Sequence, residues 1–291
     1  MKLRVLLPIS VWASLYLSFV AVAVQADERP LVVASINPLA LVAREIMGDR
    51  GQVSVLLKAG QTPHNYAFRM SDRRRVDEAD VLLWAGPHIE PYLEKIAQAK
   101  TGLALQPKSD ISYDEDHHAH PEDTHLWLSI SKVVSIAHSL TEILSELDPE
   151  GEHQYRQNTA RLESNLDQLL VSYKSRMERQ PRRPEQTYAV AHRAYDHFLA
   201  TFPFPQPVVL ADSPEVSPGA RSLWESGKLL SSGSCVLIES DSRPKWLNSF
   251  VERHQLITLQ ADILGYSKGV SNYTDMISRL LNRFEECSGE G

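Results

Sequence analysis

"DPEGEHQYRQNTARLESNLDQLLVSYKSRMERQ", residues 148–180, decides the architecture of this 291-residue chain. Within it Gly151 is the one glycine and Pro149 the one proline. Tyr155, Leu162, Leu166, Leu169, Tyr173 and Met177 recur at steps of three and four residues or their sum. That is the period of one apolar stripe on an α-helix. At 1.5 Å per residue the helix would run ~40 Å or more. "RQPRRP" follows, and Pro181 and Pro184 cannot continue the backbone ladder.

On both sides of this helix, short apolar β-rich runs alternate with helical patterns. Upstream, Leu31–Ala34, "GQVSVLLKAG" (51–60) and "ADVLLWAG" (79–86) read as strands. Helical patterns run from Asn37-Pro38 to Gly48, after Ser71 and through "IEPYLEKIAQA" (89–99). Ser71 is expected to cap its helix, with Asp72 in the first turn. Downstream, "TYAVAH" (187–192), "PVVL" (207–210), "CVLIES" (235–240) and "LITLQAD" (256–262) read as strands, separated by helices, and "YTDMISRLLNRFEEC" (273–287) is a last helix. The alternation predicts βαβ units and parallel sheets. The expected fold is α/β: a lobe over 27–147, the linking helix 148–180 and a lobe over 181–291. Each lobe is long enough for its own core, and a ligand is expected in the cleft between them.

Residues 1–26 read as a secretory signal: Lys2 and Arg4, an apolar Leu6–Val24, then Val24 and Ala26 at the small-residue positions of a cleavage site. No cysteine stands there to take a lipid anchor. Export implies an oxidising compartment, so a disulfide is the simplest reading of the two cysteines, Cys235 and Cys287. The formal net charge of −7 argues against nucleic acid and anionic membrane surfaces as partners.

The histidines carry the chemistry. His64 follows Pro63 in the loop after the second strand, and His192 and Asp262 close later strands. Open α/β sheets bind ligands outside such strand ends. His125 ends the run "DEDHHAHPEDTHLW" (114–127) and is followed by an apolar Leu126-Trp127. Three neutral imidazoles and a carboxylate would suit a tetrahedral divalent transition metal, zinc foremost. The four are far apart in sequence, so spacing alone leaves a structural role open for each. His117, His118 and His120 lie among acids with no apolar anchor. The loop 114–123 is therefore expected to be mobile, either a weak accessory metal site or a solvated surface. His88, His138, His153, His197 and His254 read as packing or surface residues.

A resemblance sharpens this. "TPHNYAFRMSDRRRVDEADVLLWAGPHIEPYLEK" resembles the first lobe of the periplasmic zinc-binding proteins that feed ABC importers, the cluster A-I metal-binding family. "THLWLS", "AHRAYDHF", "SPEVSPGARSL" and "LQADILG" resemble its later landmarks, in order, from about residue 31 to residue 287. The resemblance implies His64, His125 and His192 as metal ligands, Asp262 or a water as the fourth, and the late cysteine pair. It implies a zinc carrier, Zn2+ being cargo, expected to be a periplasmic monomer with an ABC permease as partner and no enzymatic activity. Manganese-type relatives have glutamate where this chain has His192, so the implied metal is zinc. "IESDSRP" and "ADILG" depart from the family pattern, which leaves the fourth ligand open. The rivals are a manganese or iron carrier of the same fold and a zinc hydrolase, for which Glu215 or Glu239 would have to serve as general base.

Overall fold

A computed structural model describes residues 29–105, 123–179, 186–239 and 244–289. The stretch 1–26, His117, His118 and His120 lie outside the described residues. The first sheet is built from β1 (Leu31–Ala34), β2 (Gln52–Val55), β3 (Val81–Trp84) and β4 (Gly102–Ala104), in the order β2-β1-β3-β4 and parallel throughout. The second contains β5 (Ala189–Val190), β6 (Val208–Val209), β7 (Cys235–Glu239) and β8 (Ile257–Ala261), in the order β6-β5-β7-β8, again parallel. Each order reverses beside its first strand, so the loops that follow the strands open onto a crevice.

Helices α1 (Asn37–Met47), α2 (Met70–Glu78), α3 (Glu94–Gln98) and α4 (Ile130–Leu147) belong to the first half. The linking helix is α5 (Glu152–Arg179), 28 residues long. Helices α6 (Asp196–Thr201), α7 (Ala220–Leu229), α8 (Lys245–His254) and α9 (Tyr273–Ser288) complete the chain. The sequence reading names neither β4 nor α4. It also misplaces one cap. Helix α2 begins at Met70, so Ser71 lies inside its first turn, and the Asp72 carboxylate accepts the Arg69 amide at 2.8 Å instead.

The predicted stripe on α5 is apolar for a reason. Tyr155, Leu162, Leu166 and Tyr173 are buried, and Leu169 and Met177 pack against the same core. Its ends are pinned. Arg50 makes a bidentate pair with Asp148 at 2.7 and 2.8 Å just before the helix, and Tyr155 Oη donates to the same carboxylate at 2.6 Å. Near its C-terminus Arg176 meets Glu285 of α9 at 2.7 Å.

The expectation of a separate core in each lobe is not met. One apolar cluster runs from Val32 and Ile46 through Trp127, Leu140 and Leu166 to Phe198, Leu281 and Phe284. Only the outer face of each sheet has a cluster of its own, around Trp84 in the first and Phe250 in the second. The period of an amphipathic helix shows that a face is buried, not which sheet it is buried against. Helices α1, α4, α5 and α9 fill the space that both sheets share, and one packed core resists bending better than two. The disulfide joins Cys235 at the start of β7 to Cys287 near the end of α9, with Cα atoms 5.2 Å apart. Closing a loop of 52 residues restricts the unfolded chain by about 4 kcal/mol in the chain-entropy account.

A seam of hydrogen bonds crosses between the halves. Asn37 Nδ2 donates to the carbonyls of Leu264 and Gly265, at 3.0 and 2.9 Å, and Trp127 Nε1 donates to that of Ile263 at 2.8 Å. Tyr273 Oη donates to the Trp127 carbonyl at 2.8 Å, and Glu45 accepts the Tyr273 amide at 2.7 Å.

Candidate metal centre

Three histidines from three separate segments meet in the crevice. His64 stands on a tight turn, Pro63–Asn65, nine residues beyond the end of β2. Pro63 supplies a preset φ at the first position, and Thr62 Oγ1 accepts the His64 amide at 3.3 Å. His125 precedes the short turn Leu126–Leu128, whose three side chains are all buried. The Trp127 ring meets the His125 ring edge to face at 4.9 Å. His192 lies two residues past β5, where the strand pairing continues through the Ala191 amide to the Leu237 carbonyl.

The rings converge through one kind of atom. Nε2 of His125 lies 3.1 Å from Nε2 of His64 and 3.3 Å from Nε2 of His192. The ligand atoms of all three fall within 4.8 Å of one another. Two of the rings are held from behind. Asp123 Oδ1 lies 2.6 Å from His125 Nδ1 and also accepts the His125 amide at 2.9 Å. Glu239 Oε2 lies 2.8 Å from His192 Nδ1, and Tyr195 Oη donates to the other oxygen at 2.6 Å. Each carboxylate accepts a hydrogen bond from Nδ1–H, which fixes the tautomer of the neutral ring and leaves its Nε2 as a lone pair.

Electrostatics follow from that arrangement. Burial alone would raise Asp123, but its bonds from His125 hold the carboxyl well below the usual range. Glu239 is likewise driven up by burial, then brought below its ordinary value by His192 and Tyr195. Burial pushes His64 down to about 4, helped by the neighbouring His125. Burial also works against a charged His192, yet Glu239 outweighs it and the ring ends above its ordinary value.

Asp262 does not join the three. It lies at the end of β8 and lines the same cavity of about 150 Å³. Its Oδ1 accepts the Leu264 amide at 3.2 Å and its Oδ2 the Ser267 amide. Gly265, at φ 69°, turns the segment back so that this local capping is possible. Sequence reasoning missed Asp123 and placed it with the charged loop 114–123, whereas it is 7% exposed and part of the site. The Asp-x-His spacing was a usable signal, because an aspartate readily accepts the amide two residues on. Glu239 was weighed only as a general base. Its place beside His192 follows from β5 pairing with β7, which no local pattern reveals.

Removing either supporting carboxylate should weaken a metal held here without unfolding the protein. Asp123→Asn and Glu239→Gln are each expected to lower zinc affinity by about 10–100-fold, read by competition with a chromophoric chelator. An affinity within twofold of the parent, for either variant, would show that its carboxylate does not orient the ring.

A family model described as the zinc-uptake complex component A, periplasmic (ZnuA), matches residues 32–287. The chain belongs to the ZnuA family. A curated relative, the high-affinity zinc uptake system protein ZnuA of Yersinia pestis, is 28% identical over 295 residues, covering 88% of this chain and 90% of its own. The fold is shared with the periplasmic zinc binding protein TroA from Treponema pallidum (TM-score 0.74, 19% identity, 89% of this chain and 99% of that one). It is shared equally with the laminin binding protein Lmb of Streptococcus agalactiae (TM-score 0.75, 17% identity, 89% and 99%), described as having adhesin and metal transporting activity. The two-lobed ZnuA architecture thus serves proteins of more than one description, and its site chemistry has to decide among them.

Proposed function

We propose that this protein binds one Zn2+ between its two halves, through Nε2 of His64, His125 and His192, and delivers it to the permease of an ABC importer. The observation that carries the reading is the face-to-face approach of the Nε2 lone pairs. With Nδ1 of His125 and His192 committed to carboxylates, two lone pairs 3.3 Å apart repel unless a cation lies between them. Zinc–imidazole bonds of about 2.0–2.1 Å in a tetrahedron separate nitrogens by roughly 3.3–3.4 Å, close to the spacings present. An all-imidazole set with its carboxylates one step removed suits zinc better than manganese, which prefers oxygen ligands.

The hydrolase reading is not favoured. Both oxygens of Glu239, one of the two candidate bases, are already used by His192 and Tyr195, and the family match is to a zinc-uptake component. Residues 1–26 are read as an export signal, 27–147 and 181–291 as the lobes, and the working form as a periplasmic monomer. Among the described residues no helix is long and apolar enough to cross a membrane. His117, His118 and His120 are read as a weaker accessory zinc site. A deletion testing them should stop before Asp123, which belongs to the primary site.

The experiment is a pH series. His192 stands above its ordinary value because Glu239 outweighs its burial, so acid favours its charged ring, whose second proton sits on the Nε2 that zinc needs. Zinc has to displace that proton. Affinity should therefore fall as pH drops through the raised value of His192. The proton on His64, at about 4, does not yet compete. Calorimetry in buffers of different ionisation enthalpy should find protons released on zinc binding, more at pH 5.5 than at pH 7.5. A zinc isotherm unchanged between pH 7.5 and pH 5.5, with no proton release, would contradict an imidazole site.

A further inference from the structure

The three histidines leave one position of a tetrahedral metal unfilled, and two carboxylates lie on the wall of the same cavity, Asp262 and Glu215. They are held in opposite ways. Asp262 is half-buried, and both of its oxygens accept amides of its own loop, from Leu264 and Ser267. That loop is itself fastened to the first half, since its carbonyls at Ile263, Leu264 and Gly265 take the Trp127 and Asn37 donors. Turning Asp262 inward would break two amide bonds at once, one of them from the half-buried Leu264 amide, so the swing has to replace both.

Glu215 carries no such commitment. It is exposed at the cavity mouth, at the third position of a tight turn in which the Ser213 carbonyl accepts the Val216 amide at 3.4 Å. Pro214 precedes it and also lines the cavity, which presets the turn. Among the described residues its carboxylate meets only Ser213 Oγ, a hydroxyl two residues away that water can replace. Its negative charge is felt by both His64 and His192, favouring the charged form of each ring. An exposed, three-torsion side chain whose one bond is a solvent-exposed one to a local hydroxyl can swing at little cost, since water replaces that bond. A half-buried one capping two amides cannot.

We propose that Glu215, and not Asp262, supplies the carboxylate that closes the zinc site. This rests on the zinc reading of the three histidines. Glu215 belongs to the second half and His64 to the first, so a bond from Glu215 would draw the mouth shut over an ion already seated on the rings. The carboxylate would then govern how long zinc stays, more than whether it finds the site.

The test follows zinc release into excess chelator by stopped flow, for the parent, Glu215→Gln and Asp262→Asn, at two salt concentrations. The parent must first load one zinc; if it does not, the zinc reading beneath this inference fails, not the choice between carboxylates. If Glu215 is the ligand, Glu215→Gln speeds release by at least about tenfold, equally at both salts, while Asp262→Asn changes it less. The melting temperature of metal-free Glu215→Gln should match the parent, because the side chain is exposed. Release from Glu215→Gln at the parent's rate, or a larger effect from Asp262→Asn, overturns the proposal. So does a variant that only loads more slowly, and only at low salt, since that describes a charge steering the ion rather than holding it.

Discussion

Substituting His125 by alanine is expected to lower zinc affinity by more than 100-fold, beyond the range of about 10–100-fold for residues that merely support a ligand. His125 is the central member of the three, the one whose Nε2 is within 3.3 Å of both of the others. It is 2% exposed and fixed by Asp123, by the edge of Trp127 and by the turn that follows it. Such a ligand needs no ordering when the metal arrives, so the whole of its contribution appears as affinity. Its removal also leaves Asp123 facing a void with a charge that His125 had been satisfying. Competition with a calibrated chelator at pH 7.5 is the measurement. An affinity within tenfold of the parent would take His125 out of the ligand set.

Trp127→Ala should give the largest loss of stability of any single substitution near the site, about 3–5 kcal/mol by the usual cost of deleting a buried aromatic. The side chain is fully buried in the core that both halves share. Its Nε1 is the donor to Ile263 across the seam, so the substitution also orphans that carbonyl. Zinc affinity should fall with it, because the ring is the wall against which His125 rests. Trp127→Phe should recover most of the stability but not the Ile263 bond, a residual deficit of about 1 kcal/mol. Urea unfolding of the metal-free forms reads both. A loss below 1 kcal/mol for Trp127→Ala would mean that the shared core is not what holds the halves together.

Much of this arrangement was legible before any coordinates. Helix α5 announced itself through an unbroken stripe from Tyr155 to Met177, long enough that no strand pattern competes. Strands such as Val81–Trp84 were clear as short apolar runs between helices. The three histidines were found because two follow strand ends closely and one stands against an apolar pair, and a resemblance then joined them. What stayed hidden depends on pairing between distant segments. Nothing local shows that β5 lies against β7, so Glu239 could not be placed behind His192. Nor does an amphipathic period tell that α1, α4, α5 and α9 pack into one core rather than two. Asp262 was correctly put at a strand end, but the backbone reversal at Gly265 lets its own loop claim the carboxylate. Asp123 was lost in a run of acids, where composition suggested solvent and burial proved otherwise.

The central claim is that three imidazoles hold one zinc ion in the crevice. X-ray absorption at the zinc edge, on protein loaded with one equivalent and freed of excess metal, tests it most directly, because the outer atoms of each imidazole ring scatter distinctly. The account predicts three imidazoles at about 2.0–2.1 Å completed by oxygen, falling to two in His64→Ala. A spectrum of one imidazole or none in the parent, or one that His64→Ala leaves unchanged, would contradict it.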